Sequence, residues 1–245
     1  MLYIILLILF IVIALIIVLK LRHVGSKQLS IVKTGGDSGA IFTEIYENDI
    51  WGDNQNPNYK GSSGLGSAYF YNKYTYIPFM HQFLKDYNIK SVVDLGCGDF
   101  RIGPAIYDEL DITYTGYDAY NKIIEYHNAR INNPQKYTFI HSDFTKKSEL
   151  DTLKSADLCI LKDVLQHWPY RTIIHVMDYL VSCKKYKYIL VVNCYKKDGE
   201  YLPNYKKDIK MGQWRPLSTY SYPLNKYNGI KLFNWDTKEV SLITP

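Results

Sequence analysis

Ser91-Val92-Val93-Asp94-Leu95-Gly96-Cys97-Gly98-Asp99 is the stretch on which the fold turns. Val92 and Val93 are adjacent and β-branched, so apolar side chains fall on both faces of a strand. That suits a parallel sheet covered by helices on each side. The strand closes on an acid. Gly96 and Gly98 then let the backbone turn and approach a ligand with no Cβ in the way. The carboxyl end of such a strand in an open α/β sheet is where a nucleotide-like cofactor is expected.

Three further strand ends follow. Thr113 to Asp118 (TYTGYD) ends in an acid about twenty residues past the glycines, the spacing at which a carboxylate reaches ribose hydroxyls. The order D-x-G-x-G, rather than G-x-G-x-x-G, disfavours a dinucleotide. Tyr137 to Phe144 (YTFIHSDF) closes on Asp143-Phe144, an acceptor for an exocyclic amine beside an aromatic face. Ala156 to Asp163 (ADLCILKD) is a fourth strand, running into Val164, Leu165, His167 and Trp168.

Taken together, VVDLGCG, GYD, SDF and ADLCILKDVLQHW resemble the class I S-adenosylmethionine-dependent methyltransferases, over roughly Lys90 to Asn193. The resemblance implies an α/β, Rossmann-like fold with a seven-stranded, mostly parallel sheet and one antiparallel strand. It implies S-adenosyl-L-methionine as cofactor. Asp94, Gly96 and Gly98 would cradle its methionine end with Lys162 nearby, Asp118 would hold the ribose, and Asp143 with Phe144 would meet the adenine. A doubly wound domain with capped strand ends and no cofactor is the plainer alternative.

Leu2 to Leu19 is an apolar run without a charge, Gly or Pro. At ~1.5 Å per residue it is just long enough to cross a bilayer. No basic segment precedes it and no small-residue cleavage site follows, which favours a permanent anchor over the plainer alternative of a cleaved signal. Residues 1–21 therefore read as a single-pass transmembrane anchor, 22–40 as a linker and 41–245 as the methyltransferase domain. Lys20, Arg22, Lys27 and Lys33 put the domain on the cytosolic side. The absence of any Asn-x-Ser/Thr agrees with that side. Cys97, Cys159, Cys183 and Cys194 fall in or beside predicted elements, where reduced thiols are usual. Their spacing does not suit zinc, and no metal is expected. A net charge of +5 suits an anionic membrane as easily as nucleic acid. No arginine-rich cluster appears, so nucleic acid is not an expected partner.

Ala40 to Ile50 reads as an amphipathic helix with Ile41 and Ile45 on one side. Trp51-Gly52-Asp53 and a Gly/Ser/Asn loop through Ser67 follow, then a helix over Tyr69 to Tyr87, interrupted or kinked at Pro78. Asp163 to Cys183 reads as a long helix interrupted at Pro169, and Tyr188 to Cys194 as a fifth strand. Lys196 to Lys226 is polar and longer than a connection needs, as functional lids are. Ile230 to Trp235 and Glu239 to Ile243 close the sheet.

Two short patterns narrow the resemblance. Ile45-Tyr46, Trp51-Gly52 and Ser63 to Ser67, with the later Trp214-Arg215-Pro216-Leu217 and Pro223-Leu224, resemble a subgroup found beside polysaccharide and glycan genes in bacteria and large DNA viruses. That resemblance implies a sugar or glycan hydroxyl as acceptor, at a cellular or viral membrane. It sets Trp51, Trp214 and Arg215 on the substrate side, joined by Arg101 just past the glycines. Methyl transfer is an in-line displacement, for which the protein supplies alignment and, for a hydroxyl, a base. On a helix starting at Asp163, His167 shares its face one turn on. The carboxylate would orient the imidazole, which takes the proton. The plainer alternative is Asp163 as a helix cap and His167 as packing for Trp168. Methylation of a nucleic acid cap or a protein side chain, and an inactive tethered binding domain, are the competing functions.

Overall fold

The computed structural model describes residues 37–197, 200–201 and 207–245. The expected anchor at 1–21 and most of the linker lie outside the described residues. Among the described residues no helix is long and apolar enough to cross a membrane.

The chain begins with α1 (Ser38–Glu47), α2 (Tyr69–Asn72) and α3 (Tyr76–Asp86). Alternating units follow: β1 (Ser91–Leu95), α4 (Gly103–Tyr107), β2 (Thr113–Asp118), α5 (Asn121–Arg130), β3 (Tyr137–His141), α6 (Lys147–Thr152) and β4 (Ala156–Lys162). Next come α7 (Tyr170–Ser182), β5 (Tyr186–Cys194), a short pair β6 (Lys196–Lys197) and β7 (Glu200–Tyr201), then β8 (Ile230–Trp235) and β9 (Lys238–Ile243). The main sheet has seven strands in the order β3-β2-β1-β4-β5-β9-β8. All its inner pairings are parallel except those of β9, which runs against both β5 and β8. This is the Rossmann-like sheet that the strand ends predict.

Burial on both faces follows from the sequence of each central strand. Val92 packs with Met80, Phe83 and Tyr114 on one side, while Val93 and Leu95 pack with Ile173, Met177 and Leu180 on the other. Leu158 to Leu161 alternate between the same two clusters. Strand order reverses between β1 and β4, and the crevice at their carboxyl ends is where ligands enter such sheets.

Three local expectations change. The first helix starts at Ser38, within the predicted linker, because Asp37 accepts the Ala40 N–H at 2.8 Å and caps it. Pro78 kinks nothing. It sits in the first turn of α3, where a missing N–H leaves no helix bond broken, and α2 is a separate turn. The segment after β4 is not helical at Asp163, which has φ +62°. Leu165–His167 form a single 3₁₀ turn and the helix proper begins at Tyr170, after Pro169. The i, i+4 relation between Asp163 and His167 is therefore lost.

Candidate cofactor and acceptor cleft

The turn after β1 is held by its neighbour. Gly96 and Cys97 N–H both donate to the Tyr117 carbonyl, at 2.8 and 3.0 Å. Gly98 N–H donates to Asp118 Oδ2 at 2.9 Å, while Asp118 Oδ1 takes the Tyr120 N–H at 3.0 Å. Gly96 and Gly98 have φ of +85° and +53°. A Cβ on Gly96 would strike Val164, and one on Gly98 would strike Ser63 Oγ. Both positions need glycine for conformation and for room.

This turn forms one wall of a cleft of about 330 Å³. Gly96, Asp118, Asp143, Phe144 and Lys162 line it, as do Asp163, His167 and Trp51. Asp94 and Arg101 line a smaller adjoining cavity, which shares Ser63, Gly96, Lys162 and Asp163 with the main one. Asp94 receives the Tyr114 hydroxyl at 2.8 Å, but its Oδ1 is buried with no partner, and burial pushes its carboxyl up to about 6. Burial also raises Asp118 above the ordinary carboxylate range.

Asp143 is less open than the sequence implies. Its Oδ2 takes the Gly39 N–H at 3.0 Å, so the start of α1 closes over that end of the cleft. Thr145 Oγ1 donates to its Oδ1 at 2.6 Å.

The bottom of the cleft holds an ion cluster. Asp163 Oδ2 meets Lys162 Nζ at 2.9 Å, and Oδ1 pairs with Lys238 from the start of β9. Burial alone would raise the Asp163 carboxyl, but the two lysines outweigh it and hold it far below the usual range. Both Asp163 oxygens are thus engaged by lysine ammonium groups rather than by a helix terminus or by His167. The remaining contact of Asp163 is Gln166 Nε2 at 3.1 Å, and Gln166 Oε1 accepts the Cys194 N–H at 2.7 Å. Gln166 thus stands between Asp163 and His167 and replaces the direct pairing expected from the sequence.

His167 sits against Trp51 with ring centroids 4.9 Å apart. Its Nδ1 lies 3.2 Å from the Gln213 carbonyl, which can only accept, so Nδ1 carries the hydrogen, and the Nε2 lone pair takes a long hydrogen bond from the Gln166 side-chain amide at 3.4 Å. Burial lowers the imidazole to about 4, against a smaller opposing pull from Asp163. The ring is neutral throughout the physiological range.

Trp214 and Arg215 do not line the cleft, contrary to the expectation from the late loop. Arg215 is wholly buried; it donates to Asp208 at 2.8 Å and to the Trp168 carbonyl at 2.7 Å, and lies 3.9 Å over the Tyr170 ring. It braces the loop against the start of α7. Gly212 N–H to the His167 carbonyl and Arg215 N–H to the Gln166 carbonyl stitch the same loop to the 3₁₀ turn. The described part of that loop is therefore a fixed support for His167 rather than a lid. Among the described residues no group of three or more His, Cys, Asp or Glu side chains could hold a metal.

Sequence reasoning missed Lys238 and Gln166, and singled out Tyr46 and Ser63 only within a pattern, without their partners. Tyr46 stacks on Tyr120 at 4.7 Å and shares a 2.8 Å hydrogen bond with Ser63 Oγ, locking the segment before the sheet onto the glycine turn. Ser63 also joins its N–H to Asp99 Oδ2 and its Oγ to Asp99 N, both at 2.9 Å. The S-G-x-G-S pattern was the available signal; the partner could not be read from it.

Comparison with known proteins agrees with this geometry. Residues 93–178 match the profile of a family described as a methyltransferase domain. No curated protein is a significant match in sequence. Among solved structures, human N-acetylserotonin methyltransferase in complex with SAM superposes with a TM-score of 0.54 at 18% identity, over 74% of this chain and 53% of that one. An O-methyltransferase family protein from Burkholderia thailandensis gives 0.53 at 13% identity, over 73% and 57%. The methyltransferase domain of bacterial CtHen1 gives 0.51 at 15%, over 69% of this chain and 97% of that one. The chain thus spans little more than half of the first two proteins, and at these identities the likeness is one of fold.

Proposed function

We propose that this chain, an S-adenosyl-L-methionine-dependent methyltransferase, methylates a hydroxyl oxygen, that of a sugar in a glycan or glycan precursor, while tethered to a membrane by residues 1–21. The observation that carries an oxygen acceptor is His167: a neutral imidazole with an unprotonated Nε2, lining the same cleft as Gly96 and Asp118. One of the similar folds is described as an O-methyltransferase family protein, but that likeness is one of fold, so the reading rests on the site.

The site fits the cofactor's chemistry. Asp94 Oδ1 and Asp99 Oδ1 are buried acceptors without partners, suited to an ammonium group. Asp118 has lone pairs left over after its two backbone bonds, suited to vicinal hydroxyls. Phe144 offers an apolar face beside Asp143. When bound, S-adenosyl-L-methionine supplies an electrophilic methyl on a sulfonium. The chain's own part is to orient the acceptor and take its proton. Trp51 lines the cleft with its ring centroid 4.9 Å from that of His167, and an indole there suits the C–H side of a sugar. His167 Nε2 then accepts the hydroxyl proton. Phe42, Leu65, Val164 and Trp168 make the rest of the lining largely apolar, and this favours a second acceptor class, a phenolic hydroxyl.

Calorimetry should show binding of S-adenosylmethionine or its demethylated product, and none of NAD. Asp118→Ala should weaken that binding by about 1.5–3 kcal/mol, roughly tenfold to over a hundredfold, as for hydrogen bonds to a charged group. Unchanged affinity in the variant would remove Asp118 from the site. Labelled cofactor offered with sugars, phenols, cap analogues and peptides then separates the acceptor classes; labelling of the caps or peptides alone would overturn the sugar reading.

The basic residues after the apolar run set the domain on the cytosolic face. Protease added to the cytosolic side of sealed vesicles should digest the domain. Protection would reverse the orientation and move the acceptor to the other side of the membrane.

A further inference from the structure

Between Asp53 and Asp86 the chain has no acidic residue, and its only charged side chains are Lys60, Lys73 and Lys85. The middle of this stretch forms the rim of the cleft. Leu65 lines the cleft and is 59% exposed; beyond it Tyr69, Phe70 and Tyr74 are 48%, 74% and 80% exposed. Lys73 stands 4.9 Å from the Tyr74 ring centroid and 6.0 Å from that of Tyr69.

The rim is braced from beneath. The Gly66 carbonyl accepts from Lys162 Nζ at 2.6 Å and from Asn72 Nδ2 at 3.0 Å, and buried Asn72 also donates to the Ala68 carbonyl at 2.7 Å. Large apolar side chains held outward on a fixed turn mark a surface that something covers. Tyrosine, phenylalanine and lysine together, without acids, are what a bilayer's headgroup boundary favours.

The chain's own path supplies the occupant. Ser38 lines this cleft, and Gly39 is bonded to Asp143 within it, so the domain begins at the cleft. Only residues 20–36 separate Asp37 from the apolar run, and that length reaches at most ~60 Å. A tether of that length, leaving the domain beside the cleft, lets the aromatic rim reach the bilayer.

We propose that Leu65, Tyr69, Phe70 and Tyr74 dock on an anionic bilayer and set the cleft against the headgroup layer, so that the acceptor hydroxyl is carried by a lipid-linked molecule. This rests on the membrane-tethered reading above. The acid-free stretch complements anionic lipid, and Lys73 among the exposed rings adds to the attraction.

The test uses the full chain with p-benzoylphenylalanine at Phe70 or Tyr74, or, as control, at Ile230, which is 63% exposed on β8. Each variant is bound to vesicles of phosphatidylcholine and phosphatidylglycerol, floated, and irradiated. Lipid adducts should form several-fold more at positions 70 and 74 than at 230. Flotation with equal yields at all three would overturn the docking surface and leave the tether standing. Cross-links from 70 or 74 to a second copy of the chain would overturn it in favour of a dimer. Failure to float would overturn the tether, and this inference with it.

Discussion

Asp163→Ala is expected to lower the free energy of unfolding by about 3–5 kcal/mol, the range for removing one partner of a buried ion cluster. The residue touches two ammonium groups, Lys162 Nζ and Lys238 Nζ, and both lysines are largely buried. Without the carboxylate they face each other across little water. Lys162 retains the Gly66 carbonyl and the Tyr76 ring, 5.5 Å from its Nζ, but Lys238 loses its counter-charge. Urea unfolding measures the loss. Replacing Lys238 with Met as well should recover part of it, because the second change removes the uncompensated charge. Additive losses in the double variant would mean that the three side chains do not act as one cluster. The sign with pH follows from the low Asp163 pKa: its contribution is complete above about pH 4, the unfolded carboxylate value, and is lost only as the pH falls toward the folded value below that.

This cluster also marks where reading the sequence stops. The glycine turn and the acids at the ends of β1 and β2 were legible because each depends on neighbours in sequence or on the adjacent parallel strand. Asp94, Gly96 and Asp118 were found where the spacing put them; that one of the last two strands is reversed came from the resemblance, and the structure makes it β9. Lys238 is 75 positions from Asp163, and the pair forms only because β9 runs back beside β5 to bring its first residue to the end of β4. Nothing local announces it.

The helix expected from Asp163 failed for a related reason. Apolar spacing through Val164, Leu165 and Trp168 fits a helix, but the cluster fixes Asp163 at φ +62°, and Pro169 sets the start of α7. Tertiary charge pairing overrode local periodicity. Arg215 was misplaced by the same kind of limit. A W-R-P-L stretch in a long loop resembles a substrate contact, whereas its guanidinium is held inside the protein by Asp208 and the Trp168 carbonyl, with Nε buried and unpaired. The anchor reading rests on composition alone and lies outside the described residues.

Moving His167 off a shared helix face changes what its removal should do. With Asp163 committed to lysines, the imidazole is oriented instead by the Gln213 carbonyl, the Gln166 amide and the Trp51 ring. His167→Ala should lower kcat by roughly 10²–10⁴, the range for a general base, while cofactor affinity stays nearly constant. The pH profile distinguishes this arrangement from a solvent-exposed histidine. An ordinary imidazole would lose activity below about pH 6.5. Desolvation sets His167 at about 4, so kcat should stay level through pH 6 and fall only as the pH nears that value. So weak a base cannot ionise an alcohol beforehand. It suffices because the oxygen becomes strongly acidic as its bond to the methyl carbon forms, and the proton then moves downhill to Nε2. His167→Gln, which keeps the volume and a hydrogen-bonding group but accepts no proton, should be as slow as the alanine variant. Near-normal turnover in both variants would remove His167 from the chemistry and leave it as a packing partner for Trp51.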